Sequence, residues 1–164
     1  PGSIRILERS AAVLRKVSIS GGGRCNVTHS PVQALADTYP RGAELVARLH
    51  QRHGPLDTVR WFEAHGVQLK TEADGRLFPR SDSSACVVGC LLRTAESLGV
   101  ALSTGTHVAG VEVVDAADGD PRRFRLALED ATGARSELTC GRLIVCCGSA
   151  QKRSVKRLLE GAGA

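Results

Sequence analysis

The segment Ser18-Ile19-Ser20-Gly21-Gly22-Gly23-Arg24-Cys25-Asn26-Val27-Thr28 decides how this chain is interpreted. Glycine tolerates positive φ and lets a ligand approach the backbone closely, so three in succession indicate a tight turn or a binding loop. Backbone N–H groups in such a turn can form an anion-binding concavity. Arg24 adds a planar, permanently charged fork that suits phosphate. Two interpretations stay open on these residues alone: a phosphate-binding loop, and an ordinary glycine-rich loop with a solvated arginine.

Composition narrows the class of protein. A length of 164 residues predicts one domain, and a net charge of +5 fits a phosphate-bearing ligand, an acidic partner or nucleic acid. Aromatic residues make up only 3%, without the interleaving that stacks bases, so nucleic-acid binding is the weakest of these. The six cysteines show no C-x-x-C spacing and the histidines no His-x3-5-His, so we expect no metal site. Cys86 and Cys90 have helical spacing and Cys146-Cys147 lie in an apolar run, so we expect these cysteines to be apolar residues in an intracellular, reducing compartment. No apolar run is long enough to cross a bilayer.

The first segment of the chain has the pattern of a strand that ends in an acid. Residues 3–9 alternate and include two isoleucines, which predicts a strand, and Glu8 lies near its end. In dinucleotide-binding folds an acid at the end of the second strand binds the ribose hydroxyls. An ordinary solvated strand end is the alternative interpretation of Glu8. The first strand and G-x-G-x-x-G turn that normally precede it are not in this sequence, so we expect the chain to start about where the second strand does.

The middle of the chain predicts helices and a hairpin. Apolar spacing predicts helices over 43–52 and 55–66, the second with Pro55 near its start. Residues 67–70 and 76–79 predict two strands joined by a turn, and together residues 31–80 are interpreted as a helical and hairpin insertion. A further helix is expected from Asp82 or Ser83 to about Leu98.

The last third predicts extended structure. Short extended segments separated by turns predict a β-meander over residues 100–140, its segments being 100–103, 107–114, 123–129 and 136–139. The apolar run 142–148 predicts a strand buried on both faces, and residues 152–159 a final helix. Together these elements predict an α/β fold with a small β-meander.

Three segments carry a resemblance to a known family. Residues 16–28 are similar to the K-x-x-x-S-G-x-G-R-C-N-x-T of the YhiN/BaiN-type NAD(P)/FAD-dependent oxidoreductases. Residues 66–79 resemble that family's G-V-x-L-x-x-E-x-x-G-R-x-F-P, and residues 143–148 stand where it has a V-I-L-A-T-G-G-like strand. The chain thus resembles a middle slice of a flavoprotein with two dinucleotide-binding domains, without the first strand and the C-terminal part. The fold class that the resemblance implies is α/β: an incomplete FAD-binding, Rossmann-like, three-layer domain with parallel strands and a small β-meander. Residues 1–164 would then form a partial FAD/NAD(P)-binding domain.

The resemblance implies a set of cofactor-binding residues. Glu8 matches the ribose-binding acid, the glycine segment matches the loop along the FAD pyrophosphate and flavin, and the backbone of Val108 matches the contact with adenine. The complete set is Glu8, Arg9, Lys16, Ser20, Gly21, Gly22, Gly23, Arg24, Cys25, Asn26, Val108, Cys147 and Gly148. No catalytic acid or base is identified. Cys25 is either a redox-active thiol beside the flavin or, as the alternative, a structural residue.

The function implied is that of the FAD-binding portion of an NAD(P)H-dependent flavoprotein oxidoreductase, with FAD carrying the chemistry. The alternative is a truncated or relic flavoprotein fold that serves as a non-catalytic structural subunit of a larger assembly. A sheet without its central strand exposes an unpaired edge. Either another chain or the missing N-terminal segment is then expected to complete the sheet, or this slice no longer binds FAD.

Overall fold

Two compact units make up the chain in this computed structural model. The structure describes residues 2–30, 39, 41–114, 123–148 and 153–163. One unit combines Pro1–Val13 with Ala101–Ala164, and the other is the continuous stretch Leu14–Val100. The predicted acid-tipped strand belongs to the first unit and the predicted glycine loop to the second.

A parallel pair of short strands opens the first unit. β1 (Arg5–Leu7) pairs in parallel with β5 (Ala101–Ser103), and Arg5 lies opposite Ala101. The pairing continues one residue further, because Glu8 N–H donates to the Ser103 carbonyl at 2.9 Å. Parallel strands need a long crossover connection, and the whole second unit lies between these two in sequence. The expectation that residues 100–103 belong to the meander was therefore wrong, since this segment pairs with β1 instead.

An antiparallel meander forms the rest of the sheet structure in this unit. β6 (His107–Val114), β7 (Arg123–Glu129) and β8 (Arg135–Cys140) pair in that order, which confirms the meander from residue 107 onward. Successive side chains of β7 point to opposite faces of the sheet, and Leu126 and Leu128 are buried on the same face. α5 (Arg153–Gly161) packs against β6 and buries Val155 and Leu158.

The prediction of a buried strand over residues 142–148 was wrong. The segment has no strand pairing among the described residues, and Ile144 is 85% exposed. In a doubly wound sheet of order 3-2-1-4, the fourth strand pairs with the first strand and not with the second. β1 and β5 pair as the second and third strands of such a sheet would. Among the described residues no strand occupies the position of the first strand of that sheet. The apolar run therefore lacks the neighbour that would turn it into a strand.

The second unit contains the predicted helices and hairpin. Its helices are α1 (Arg15–Ile19), α2 (Ala43–Arg52), α3 (Pro55–Ala64) and α4 (Ser84–Ser97), with a 3-10 turn over Ser20–Gly23. β3 (Leu69–Thr71) and β4 (Arg76–Pro79) form the hairpin, and β2 (Thr28–His29) adds to the other edge of β4. The structure confirms α2, α3, the hairpin and α4, whose N-cap is Ser83, with its Oγ accepting from Ala85 N–H at 3.3 Å. The third strand, β2, was not predicted.

A small aliphatic and aromatic core holds this unit together. Its buried members come from the glycine loop, α3, the segment leading into β3, β3 itself and α4: Cys25, Phe62, Val67, Leu69, Val87 and Cys90. Val87 and Cys90 lie three residues apart on α4, which places both on one face of the helix. The glycine loop thus packs against the core through Cys25, a residue that is 6% exposed.

Candidate cofactor site

The glycine loop is a run of left-handed residues. The φ values are +56° at Gly21, +71° at Gly22 and +85° at Gly23, and Cys25 adds a non-glycine residue at +63°. The Ser20 carbonyl accepts hydrogen bonds from both Arg24 N–H and Cys25 N–H, the latter at 2.9 Å. The sequence prediction of a tight turn is confirmed. The N–H groups of Arg24 and Cys25 are therefore used to close the turn and are not free to bind an anion.

Hydrogen bonds fix both ends of this loop to neighbouring elements. At its start, Ser84 Oγ on α4 donates to the Ser18 carbonyl at 2.8 Å. At its end, Val27 N–H donates to the Leu77 carbonyl at 2.9 Å. The Asn26 amide, oriented by the carbonyls around it, donates to Thr28 O at 2.8 Å and to Leu77 O at 3.2 Å. The R-C-N-x-T segment therefore docks on β4, which belongs to the second motif of the resemblance.

Two carboxylates bind the Arg24 guanidinium. Its Nη1 lies 2.5 Å from Glu72 Oε1 and 3.5 Å from Asp82 Oδ1. The hydrogen bond with Glu72 is the main reason why the pKa of Arg24 is raised above its ordinary value. Asp82 also pairs with Lys70, whose Nζ lies 2.5 Å from Oδ2, and this hydrogen bond is the main cause of the lowered pKa of Asp82.

The Phe78 ring lies beneath both the loop and this ion-pair network. Phe78 is fully buried, and the Arg24 guanidinium carbon lies 4.0 Å from the ring centroid. Arg76 approaches the same ring at 5.4 Å. A Cβ placed on Gly21 would lie only 2.6 Å from Phe78 Cε1, so the ring contacts the backbone at that position. Phe78 thus supports the first glycine of the loop and the arginine that follows it.

In the first unit, Glu8 lies at the carboxyl end of β1. Its Oε1 accepts a hydrogen bond from Ser10 N–H at 2.6 Å, and its carbonyl accepts one from Thr106 N–H at 3.0 Å. Glu8 Oε2 receives no hydrogen bond from the residues that the structure describes. Thr106 directly precedes β6, so the structure brings Glu8 close to the start of the strand that carries Val108.

The other predicted residues have less well defined surroundings. Arg9 follows Glu8 and is exposed, and Lys16 is exposed on α1. Cys147 and Gly148 are exposed in the segment that does not form the expected strand. The structure therefore groups Glu8 with the start of β6 in one unit and Ser20 to Asn26 in the other.

Sequence reasoning missed the residues that hold the loop. Glu72 and Phe78 stand within the second quoted motif but received no role, and Asp82 was considered only as a helix cap. Arg24 and Glu72 are 48 residues apart, so no local spacing pairs them. The sequence did offer one indication of this pair, because Arg24 and Glu72 are each specified by one of the two motifs that carry the family resemblance.

The described residues limit the chemistry in two further ways. Among them, no group of three His, Cys, Asp or Glu side chains could hold a metal ion. Cys25 is buried in the core of its unit, which favours the structural interpretation of this thiol. No helix in the described part of the chain has the length and apolar character needed to span a membrane.

Comparisons with known proteins agree with this architecture. Residues 2–155 match the family described as "HI0933-like protein Rossmann domain". A curated protein, the 3-dehydro-bile acid delta(4,6)-reductase of Clostridium scindens, is 27% identical over 108 residues, covering 66% of this chain and 26% of its own length.

The solved structure of Thermovibrio ammonificans THI4 is similar in fold. The TM-score is 0.59 at 11% identity, over 99% of this chain and 54% of that one. At this identity the likeness concerns the fold alone. The chain spans about a quarter of the curated relative and about half of the solved one.

The family match covers almost the whole chain, includes both motifs that meet at Phe78, and confirms the Rossmann-like α/β class expected from the sequence. This chain belongs to the HI0933-like Rossmann-domain family, the family of the YhiN/BaiN-type flavoproteins.

Proposed function

We propose that this chain is the FAD-binding portion of an NAD(P)H-dependent flavoprotein oxidoreductase. The observation that carries the proposal is the position of Glu8, an acid at the carboxyl end of a parallel strand in a Rossmann-family chain. Ligands of open α/β sheets bind beyond the carboxyl ends of the strands, and an acid in that position accepts hydrogen bonds from ribose hydroxyls. The relative from Clostridium scindens is, by its name, a reductase, which supports redox chemistry for the family.

The surroundings of Glu8 fit a ribose. One carboxylate oxygen is occupied by Ser10 N–H, which fixes the orientation of the side chain. The other oxygen has no donor among the described residues and can accept a hydroxyl hydrogen. In this proposal the backbone of Val108, close to the start of β6, contacts the adenine ring.

The glycine loop has features of its own that suit contact with FAD. Ser20 to Asn26 lack bulky side chains at the three glycine positions, and Gly22 has no atom within 4 Å of where a Cβ would stand. A cofactor can therefore approach the backbone closely at that point. FAD, when bound, supplies the electron transfer, and the residues of this chain bind and orient it.

The absorption spectrum of the purified full-length protein tests FAD binding. We expect a flavin spectrum, or its appearance when FAD is added to the apoprotein. A protein that is colourless and takes up no FAD would overturn the proposal and favour the non-catalytic structural subunit instead.

Substitution of Glu8 tests the assigned contact. Glu8→Gln should weaken FAD binding by about tenfold or more, since a hydrogen bond to a charged acceptor is lost. Glu112→Gln is the matched control, because Glu112 lies on the meander and pairs with Arg125 at 3.2 Å. Equal affinities in the wild type and Glu8→Gln would refute the role of Glu8.

Anaerobic mixing with NADH or NADPH tests the electron donor. Bleaching of the bound flavin by either nucleotide is expected. A flavin that is reduced by dithionite but by neither nucleotide would remove NAD(P)H from the proposal and leave FAD binding intact.

A further inference from the structure

We infer that Arg24 is a positioning residue and not a phosphate ligand: Glu72 and Asp82 hold its guanidinium on the Phe78 ring, and this contact fixes the glycine loop. The inference rests on the proposed function, because the loop that is fixed is the one proposed to contact FAD. It differs from both sequence-based interpretations of Arg24, as a fork that suits phosphate and as a solvated arginine.

The first argument is electrostatic. Arg24 Nη1 faces the carboxylates of Glu72 and Asp82, at 2.5 and 3.5 Å. Lys70 also pairs with Asp82, and Arg76 lies 3.9 Å from Glu72. These cations and carboxylates form one ion-pair network around Arg24. The charge of the guanidinium is already balanced by carboxylates within this network, so a phosphate would have to displace them to bind it.

The second argument is geometric. The guanidinium carbon lies over a fully buried ring, 4.0 Å from the Phe78 centroid, and the Arg24 side chain is only 33% exposed. The cation–π contact with Phe78 and the ion pair with Glu72 together restrict the Arg24 side chain. The side chain of Arg24 is therefore part of the packing between the loop and the hairpin.

The third argument concerns the turn of the glycine loop, to which Arg24 belongs. Arg24 N–H and Cys25 N–H both donate to the Ser20 carbonyl, which closes the turn around the three glycines. The same Phe78 ring contacts Gly21 at the other end of this turn. Because the run of glycines has no side chains of its own to restrict it, contacts at its two ends determine its shape.

The two interpretations predict opposite effects of Glu72→Gln on the affinity for FAD. If Arg24 were a phosphate ligand, removal of the competing carboxylate would free the guanidinium and tighten binding. If Arg24 positions the loop, Glu72→Gln should weaken binding by roughly three- to thirtyfold, as expected for residues that share one network.

A double-mutant cycle in the full-length protein completes the binding test. Arg24→Gln should weaken FAD binding to a similar degree, and the double variant should be no weaker than the worse single variant. Glu44→Gln is the control, since Glu44 pairs with Arg48 at 3.4 Å on an exposed helix face. Tighter FAD binding by Glu72→Gln, or additive losses in the cycle, would overturn the inference.

Amide hydrogen exchange gives a readout that does not need FAD. In the ligand-free protein, Glu72→Gln should lower the protection of the Arg24 and Cys25 amides by about tenfold relative to wild type and Glu44→Gln. Asp82→Asn should lower it as well, and serves if Glu72→Gln does not fold. Unchanged protection in both variants would refute the inference. A wild type that binds no FAD would refute the proposed function alone, and the exchange result would then decide the role of Arg24.

Discussion

The substitution of Gly21 by alanine should strongly destabilise the unit that contains the glycine loop. Two costs add at this position. The backbone has φ +56°, which costs an alanine about 1–2 kcal/mol. The new Cβ would also lie 2.6 Å from Phe78 Cε1 and 3.0 Å from Asn26 N.

The steric cost follows from the burial of Phe78. The ring is fully buried, so it cannot swing into solvent, and the second close atom belongs to the backbone. Overpacking of this kind costs about 1–3 kcal/mol. We therefore expect Gly21→Ala to lower the free energy of unfolding by about 2–5 kcal/mol in total.

Gly22→Ala separates the two costs. Gly22 has φ +71° but no atom within 4 Å of the position of a Cβ, so only the backbone cost of about 1–2 kcal/mol applies. The difference between the two variants measures the contact between Gly21 and Phe78.

Urea unfolding followed by tryptophan fluorescence measures both variants. Trp61 is the only tryptophan and packs against the core of the same unit, so its emission reports on the unit that contains the loop. Equal losses in Gly21→Ala and Gly22→Ala, at unchanged m-values, would refute the packing of Phe78 against the loop.

Two further predictions concern the hairpin and the ion-pair network. Gly75→Ala should destabilise by about 2–4 kcal/mol in the same assay, since a Cβ there would lie 2.9 Å from the Ser30 carbonyl oxygen. Gly66→Ala, with similar φ and open space, should lose only about 1–2 kcal/mol, and an equal loss would contradict the clash. The hydrogen bond with Lys70 lowers the pKa of Asp82 in the folded protein below its unfolded pKa of 3.8. The ionised carboxylate therefore stabilises the folded state above pH 3.8. This contribution disappears as the pH falls through the lower pKa of the folded state. The stability gap between wild type and Asp82→Asn, measured by urea unfolding from pH 7 to pH 3, should therefore narrow below about pH 4, and a gap independent of pH would contradict this coupling.

Local patterns were sufficient for most of the secondary structure. α2, α3 and α4 follow from apolar residues at helical spacing, with Pro55 and Ser83 at helix starts. The hairpin and the meander follow from short extended runs between turn residues. These features depend on residues close together in sequence, which is why the sequence predicts them.

Partners distant in sequence account for the errors. Residues 100–103 were assigned to the meander, but β5 pairs with β1, which lies almost a hundred residues earlier. Residues 142–148 have the composition of a buried strand, but the described residues offer them no neighbouring strand. Composition shows that a segment can be a strand, whereas the ladder of hydrogen bonds depends on what lies beside it.

The sequence by itself determined the family, the fold class and the glycine loop as the candidate site, because motifs and turn residues act locally. Tertiary structure alone decided what surrounds the loop: Arg24 is bound by Glu72 and Asp82 and lies on the buried Phe78 ring. The charge of an arginine can be read in a sequence. Whether that charge is available to a ligand depends on the carboxylates that folding brings beside it.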